Sequence, residues 1–129
     1  MDEPAVIAAL NAAAASQLAF FSIGATDHSA MLFRLRYLTA EDMRALKQAR
    51  AVGDVLGRFY DRDGAQIPLD VNRRIVGLDI ESLKRIPVKV LVAGGVNKRE
   101  ALRVALAHGF CDILVTDDDT AGWLLADLE

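Results

Sequence analysis

The sequence predicts a single α/β domain with an open, mostly parallel sheet and flanking helices. Three short apolar runs, over 18–23, 88–92 and 111–115, have the length and content of buried strands. Helical patterns separate them, and strands that alternate with helices through short links form right-handed crossovers and therefore a parallel sheet. The 129 residues, with 53% hydrophobic content, suffice for one domain with its own core.

The first elements are a helix and a buried strand. The alanine-rich segment over 4–15 is expected to form a short amphipathic helix, and Gly24 closes the apolar run over 18–23. Because that run is apolar throughout, we expect a strand buried on both faces, with Phe20 and Phe21 in the core. Ligands of α/β proteins collect at the ends of such strands.

A capped helix and a hairpin follow. Thr39 is expected to cap the next helix, because acidic residues occupy the first turn after it. The segment 51–60 is extended in character, and 61–64 supplies turn residues before 66–69, which predicts a hairpin-like excursion. The proline of the return segment would keep that strand at an edge.

Strands and helices alternate through the second half. A strand over 74–78 and a brief helix over 79–83 are expected to precede the strand over 88–92. From Asn97 onward the apolar positions recur at helical spacing, and Gly109 ends that helix as a left-handed cap.

An acidic run over 117–119 begins the last helix. These three carboxylates are potential metal ligands, but the helix dipole favours acids in a first turn, and no other ligand stands at a known spacing from them. We therefore interpret the run as a cap and expect no metal site. The sequence also carries no nucleotide-binding glycine motif, so no cofactor is expected.

The paired glycines Gly94 and Gly95 follow a predicted strand and open a helix, which is how α/β proteins build an anion site. Lys98 falls in or near the first helical turn, where an ammonium is unfavourable against the helix dipole unless an anion lies close to it. A phosphate fits these requirements. A tight turn with a solvated lysine fits the same residues, and this segment alone leaves both interpretations open.

Two further charged residues are candidates for the same ligand. Asp54 lies in an apolar, extended segment, so it either faces solvent or has a partner. If it faces the glycine loop, its carboxylate can accept hydrogen bonds from sugar hydroxyls while Lys98 binds a phosphate. Arg34, soon after the strand end at Gly24, is a candidate for a second anion contact.

Composition excludes several classes of function. A net charge of −3 without a basic stripe argues against contact with nucleic acid by this segment, and no apolar run is long enough to cross a bilayer. The single cysteine, Cys111, forms no internal disulfide, which favours a cytoplasmic location. The two histidines, His28 and His108, stand near no recognised nucleophile motif, so a hydrolytic triad has no support.

Several sequence blocks in a fixed order resemble the SorC family of bacterial transcriptional regulators. The resemblance is to the C-terminal half of their sugar-binding, or effector-binding, domain and covers the chain from about Leu18 onward. The blocks are Ser22-Ile-Gly-Ala25, Ala51-Val-Gly-Asp54, Arg73-Arg-Ile-Val-Gly77, Val92-Ala-Gly-Gly95 with Lys98, and Leu114-Val-Thr-Asp117 with Thr120-Ala121.

The resemblance implies a fold like that of sugar-phosphate isomerases and deaminases, and a domain that senses a phosphorylated sugar. By this resemblance Lys98 contacts the effector, Asp54 matches the acidic position of its block, Gly24 lines the pocket, and Arg34 is a weaker match to a basic contact. The family's helix-turn-helix and the first half of its effector domain have no counterpart here. The chain, 1–129, is therefore expected to be a partial domain that forms homo-oligomers and reaches DNA only through an N-terminal part it lacks.

Two other functions fit parts of the pattern. A sugar-phosphate isomerase or deaminase on the same fold would need a general base, for which Asp54 and Asp117 are the candidates. The segment 88–115 also resembles the last two strands of a phosphate-binding barrel, although a whole barrel needs about 250 residues.

Overall fold

Two small sheets and seven helices make up the part of the chain, residues 3–127, that the computed structural model describes. In chain order the elements are α1 (Pro4–Ala14), β1 (Leu18–Phe21), β2 (Ile23–Gly24), α2 (Met31–Arg34), α3 (Ala40–Gln48), β3 (Gly53–Val55), β4 (Arg58–Tyr60), α4 (Asp70–Arg73), α5 (Ile80–Lys84), β5 (Val88–Val92), α6 (Arg99–Ala107, preceded by a 3-10 turn, Val96–Lys98), β6 (Ile113–Val115) and α7 (Asp118–Ala126).

The first sheet is parallel and confirms the predicted fold class. Its order is β1–β5–β6, with Leu18 opposite Val88 and Val90 opposite Ile113. Helix-containing connections join its strands, as the alternation of patterns predicts. The sheet is open, so the barrel interpretation is wrong.

The second sheet is antiparallel, and the sequence patterns predicted it only in part. The run over 18–23 divides at Ser22: its first residues form β1 of the parallel sheet, and its end forms β2, which pairs with β3. The segment 51–60, predicted to be one extended arm of a hairpin, is itself a hairpin that turns at Leu56 and Gly57 between β3 and β4. Both turn residues have positive φ, 53° and 81°, which is the geometry that matches the twist of two-residue hairpins.

Two predicted strands are absent from the described residues. The segment 74–78 forms no strand, because the guanidinium of Arg58 binds one carbonyl just before it and one within it: Nη1 donates to Asn72 O and Nη2 to Gly77 O, each at 2.8 Å. The return segment 66–69 contributes only an isolated bridge between Gln66 and Tyr60.

The predicted helix ends are confirmed. Thr39 and Asp42 form a reciprocal capping box at the start of α3, and Asp117 caps α7 by accepting the N–H of Thr120 at 2.7 Å. Gly109 follows α6 with φ of 74°, as expected for a left-handed helix end.

The two faces of the parallel sheet differ sharply. One face packs on α5 and α6 through buried side chains such as Phe21 and Leu91. On the other face the ring of Phe20 is 70% exposed, so its predicted place in the core is wrong. A second cluster, around Phe59 and Leu46, joins the hairpin to α3 and α4.

Candidate functional site

A cleft of about 810 Å³ lies between the β2–β3 pair, α2 and the start of α6. Four of the six residues that the sequence singled out line it: Gly24, Arg34, Asp54 and Lys98. They come from segments far apart in the chain, and the fold brings them to the region where β1 ends. This is the position at which open α/β sheets bind ligands.

Asp54 is the carboxylate of the cleft. It lies on β3 directly opposite Gly24 of β2, and its Oδ2 accepts the N–H of Gly57 at 3.2 Å. Burial raises the pKa of Asp54 above its usual range, although the Gly57 hydrogen bond and the charge of Lys98 act in the opposite direction. A Cβ at Gly24 would overlap the Asp54 carboxylate, so glycine is what allows this approach.

Lys98 is the half-buried cation of the cleft. It ends the 3-10 turn Val96–Lys98 and precedes α6, where the first N–H groups of a helix lack intrahelical partners. Its charge opposes the rise that burial causes in the pKa of Asp54, because the two side chains lie near each other. None of the ion pairs found within residues 3–127 involves Lys98.

Arg34 lies at the last residue of α2, with its side chain exposed at the cleft. It brings a second positive charge to the same opening.

Gly94 and Gly95 are not among the residues that line the cleft. The N–H of Gly95 donates to Asp117 Oδ2 at 2.8 Å, and a Cβ at Gly94 would overlap the same carboxylate. Gly95 has φ of 105°, a conformation that side chains disfavour. These glycines therefore let the loop that carries Lys98 fold against the start of α7.

Asp117 fastens this loop to α7. Besides the Gly95 N–H, its carboxylate accepts the N–H and the hydroxyl of Thr120, at 2.7 and 3.0 Å. These hydrogen bonds, first of all the one from the Thr120 N–H, hold the pKa of Asp117 below its usual range. The sequence identified the cap but not the link to the glycine loop. That link follows from the pairing of β5 with β6, which brings their carboxyl ends together.

A side-chain bridge spans the cleft and was also missed. Asn97 Nδ2 donates to Ser29 Oγ at 3.1 Å, which joins the start of α6 to the loop before α2. The N–H of Ser29 donates in turn to Asp27 Oδ1 at 2.8 Å. Only the folded chain brings these residues together, since 68 positions separate Ser29 from Asn97.

No group of three or more His, Cys, Asp or Glu side chains within 3–127 is placed to hold a metal ion. Within the same residues, no helix has the length and apolar content needed to cross a membrane.

The fold and the cleft define an α/β ligand-binding domain, and comparison with known proteins identifies its family. Residues 1–126 match the family model described as "Putative sugar-binding domain", and the chain belongs to this family. A deoxyribonucleoside regulator of Bacillus subtilis is 34% identical over 113 residues, which are 88% of this chain and 36% of that protein.

Solved structures show the same fold. A DeoR family transcriptional regulator from Listeria monocytogenes superimposes with a TM-score of 0.92 at 28% identity, over 95% of this chain and 50% of that one. The full-length sorbitol operon regulator SorC from Klebsiella pneumoniae, 21% identical, shares the fold with a TM-score of 0.85 over 97% of this chain and 41% of its own. The predicted resemblance to SorC regulators is confirmed, and the chain spans half or less of each of these relatives.

Proposed function

We propose that this chain is the effector-sensing part of a bacterial transcriptional regulator and that its cleft binds a phosphorylated sugar. The observation that carries the proposal is the convergence of two cations and one half-buried carboxylate in a single cleft: Lys98, Arg34 and Asp54. The membership in a sugar-binding family supports the choice of ligand class.

The two ends of the ligand have different partners in this proposal. Lys98, Arg34 and the N–H groups at the start of α6 bind the phosphate, since cations and helix N-termini both favour anions. Asp54 accepts hydrogen bonds from the sugar hydroxyls, and Gly24 makes room for that carboxylate. Gly94 and Gly95 set the path of the loop, and their direct contact with the phosphate stays a prediction.

The output of sensing lies outside this chain. In a longer regulator, a sugar that binds one conformation of this domain more tightly than another would shift the protein toward that conformation. The shift would change the DNA affinity of an N-terminal helix-turn-helix. A cytoplasmic location follows from this role, because DNA and sugar phosphates are found there. The relatives described as regulators of transcription support this part of the proposal.

Sensing is proposed in preference to isomerase or deaminase chemistry. Of the two candidate bases, Asp117 accepts three hydrogen bonds from Thr120 and Gly95 and is not among the residues that line the cleft. Asp54 faces the cleft, but no second carboxylate and no histidine shares the lining with it. Incubating the protein with sugar phosphates and following their NMR spectra should show binding without product, and any conversion would contradict the sensor assignment.

Replacing Lys98 by alanine should weaken sugar-phosphate binding while leaving the fold intact. A charge-assisted hydrogen bond to phosphate contributes about 1.5–3 kcal/mol, so the affinity should fall by roughly one to two orders of magnitude. Amide shifts in NMR titrations measure this even when binding is weak. Lys47→Ala, an exposed lysine on α3 away from the cleft, is the matched control. Equal affinities for wild type and Lys98→Ala would contradict the site assignment.

Replacing Asp54 by asparagine should separate the two ends of the ligand. The variant should lose affinity for the sugar phosphate but keep its affinity for inorganic phosphate, because Asp54 is assigned to the hydroxyls. Since burial raises the pKa of Asp54, the folded state ionises it less readily than the unfolded state does. The wild type should therefore lose stability relative to Asp54→Asn as the pH rises through the carboxyl range, measured by urea unfolding. An equal loss for both ligands would show that Asp54 acts structurally.

A further inference from the structure

The segment between β2 and α3 forms one side of the cleft. It includes α2, and we call its residues 26–37 the flap. Ser29, Met31 and Arg34 of the flap line the cleft opposite residues of β3 and of the turn before α6. A movement of the flap would therefore open or close the candidate site.

The flap packs loosely on the rest of the domain. Within it only the side chain of Ala30 is buried, and Met31 and Tyr37 are 72% and 67% exposed. The residues just outside it, Ala25 and Leu38, are both buried. A segment with few buried contacts between two fixed ends can open locally while the rest of the domain stays folded.

Two side-chain hydrogen bonds join the flap to other parts of residues 3–127. Thr26 Oγ1 donates to Ala51 O at 3.3 Å, at the first end of the flap. The other is the bridge in which Asn97 Nδ2 donates to Ser29 Oγ at 3.1 Å. Only the Asn97 bridge reaches from the flap to the turn that carries Lys98.

The hydroxyl of Ser29 is oriented to accept this hydrogen bond. Asp27 Oδ1 accepts the N–H of Ser29 at 2.8 Å and also accepts its hydroxyl. The hydroxyl proton is thereby directed at Asp27, which leaves the lone pairs of Oγ to the Asn97 amide. Donation to a carboxylate also makes Oγ a stronger acceptor.

The bridge connects the two parts of the chain that carry the cations of the cleft. Asn97 lies in the 3-10 turn that ends at Lys98, and a Cβ at Gly95 would lie 3.1 Å from its Oδ1. Glycine at position 95 thus leaves space for the amide. On the other side, Ser29 stands just before α2, whose last residue is Arg34.

We propose that Ser29 and Asn97 are positioning residues that form a clasp. Their hydrogen bond holds the flap closed over the cleft and keeps Arg34 at the same opening as Lys98. The clasp can open without unfolding the domain, because both side chains are exposed and one hydrogen bond in water has a small net free energy. A phosphate bound by both cations favours the closed flap, and this last step rests on the proposed function.

Limited proteolysis of the unliganded chain by trypsin, followed by mass spectrometry, tests the clasp. Arg34 and Arg36 are cleavage sites within the flap, and the exposed Arg62, in the loop after β4, is the internal reference. When opening is fast, cleavage follows the population of the open state. Asn97→Ala should therefore raise cleavage at the flap, relative to Arg62, by about threefold to tenfold. Asn11→Ala, at an exposed asparagine of α1, should leave the ratio unchanged.

Substitutions of Ser29 separate the clasp from a general structural effect. Ser29→Ala should raise the ratio as Asn97→Ala does, whereas Ser29→Thr keeps the hydroxyl and should retain the wild-type ratio. The double alanine variant should be cleaved no faster than Ser29→Ala alone, because the same hydrogen bond is lost only once. Wild-type ratios in both alanine variants overturn the proposal, and so do increases that multiply in the double variant.

A second arm with ligands distinguishes a failure of the clasp from a failure of the proposed function. Inorganic phosphate and ribose-5-phosphate should each slow cleavage at the flap of the wild type but not at Arg62. If the alanine variants are cleaved faster and neither compound protects the flap, the clasp is supported and the phosphate site is contradicted. If the compounds protect the flap but the alanine variants are cleaved like the wild type, the site is supported and the clasp is overturned.

Discussion

Replacing Asn72 by alanine should lower the free energy of unfolding by about 3 kcal/mol, which is a large fraction of a small domain's stability. Asn72 is 2% exposed and lies on α4. Its Oδ1 accepts the N–H of Phe59 at 2.8 Å, and its Nδ2 donates to the carbonyls of Phe59 and Ile67 at 3.0 and 2.6 Å. The side chain therefore acts as a short strand partner for β4.

The cost of that change falls mainly on one group. Without the amide of Asn72, the N–H of Phe59 is left buried and unpaired, whereas the carbonyls of Phe59 and Ile67 keep backbone donors at 3.0 and 2.9 Å. An orphaned buried donor costs about 1–3 kcal/mol, and the lost packing adds to it. The backbone carbonyl of Asn72 also holds Arg58, so the segment after α4 should loosen with it.

Urea denaturation followed by circular dichroism measures this prediction. Asn11→Ala, at an exposed position of α1, is the matched control and should change stability by less than about 0.5 kcal/mol. If the urea midpoint of Asn72→Ala were as high as that of Asn11→Ala, the prediction would be contradicted. Water would then replace the hydrogen bonds of the amide without a loss of stability.

The predictions from sequence succeeded where short-range physics decides. The caps at Thr39 and Asp117 depend on residues three positions away, and the structure shows the expected hydrogen bonds at both of them. The strands of the parallel sheet were found for a similar reason, since short apolar runs between helices have few other places in a domain.

The predictions failed where partners are distant in sequence. The composition of 74–78 is typical of a strand. Its conformation depends instead on a residue of β4, Arg58, whose guanidinium donates a hydrogen bond to the carbonyl of Gly77. The turn at Leu56 has no glycine or asparagine at its first position, so its positive φ was not visible in the sequence. Phe20 was assigned to the core because an apolar run does not reveal that one face of its sheet is open.

The candidate site shows the same division. Lys98 and Asp54 were singled out because charges at a helix start and within an apolar strand need partners, and the fold places both on one cleft. The bridge from Asn97 to Ser29 and the contact of Asp117 with Gly95 were not predicted. Both join loops whose proximity depends on strand order, which local patterns do not contain.

Gly24→Ala should reduce sugar-phosphate affinity by about two orders of magnitude. This is a large loss for a substitution that adds only one methyl group to the cleft. The added Cβ would overlap the Asp54 carboxylate, which must then leave its place opposite Gly24 and its hydrogen bond to Gly57. The ligand's hydroxyls would lose their acceptor, and the displaced carboxylate would occupy space in the cleft. Lys98 would lose its nearby counter-charge as well.

A double-mutant cycle tests whether Gly24 acts through Asp54. In the background of Asp54→Ala, which removes the carboxylate, Gly24→Ala should cost little further affinity, because the overlap is gone. Gly122→Ala is the matched control: no atom lies within 4 Å of its added Cβ, and its place in α7 predicts a gain in stability of about 1 kcal/mol. Additive losses from Gly24→Ala and Asp54→Ala, measured by NMR titration with the same sugar phosphate, would contradict this prediction, because they would mean that Gly24 shapes the cleft by some route other than the carboxylate.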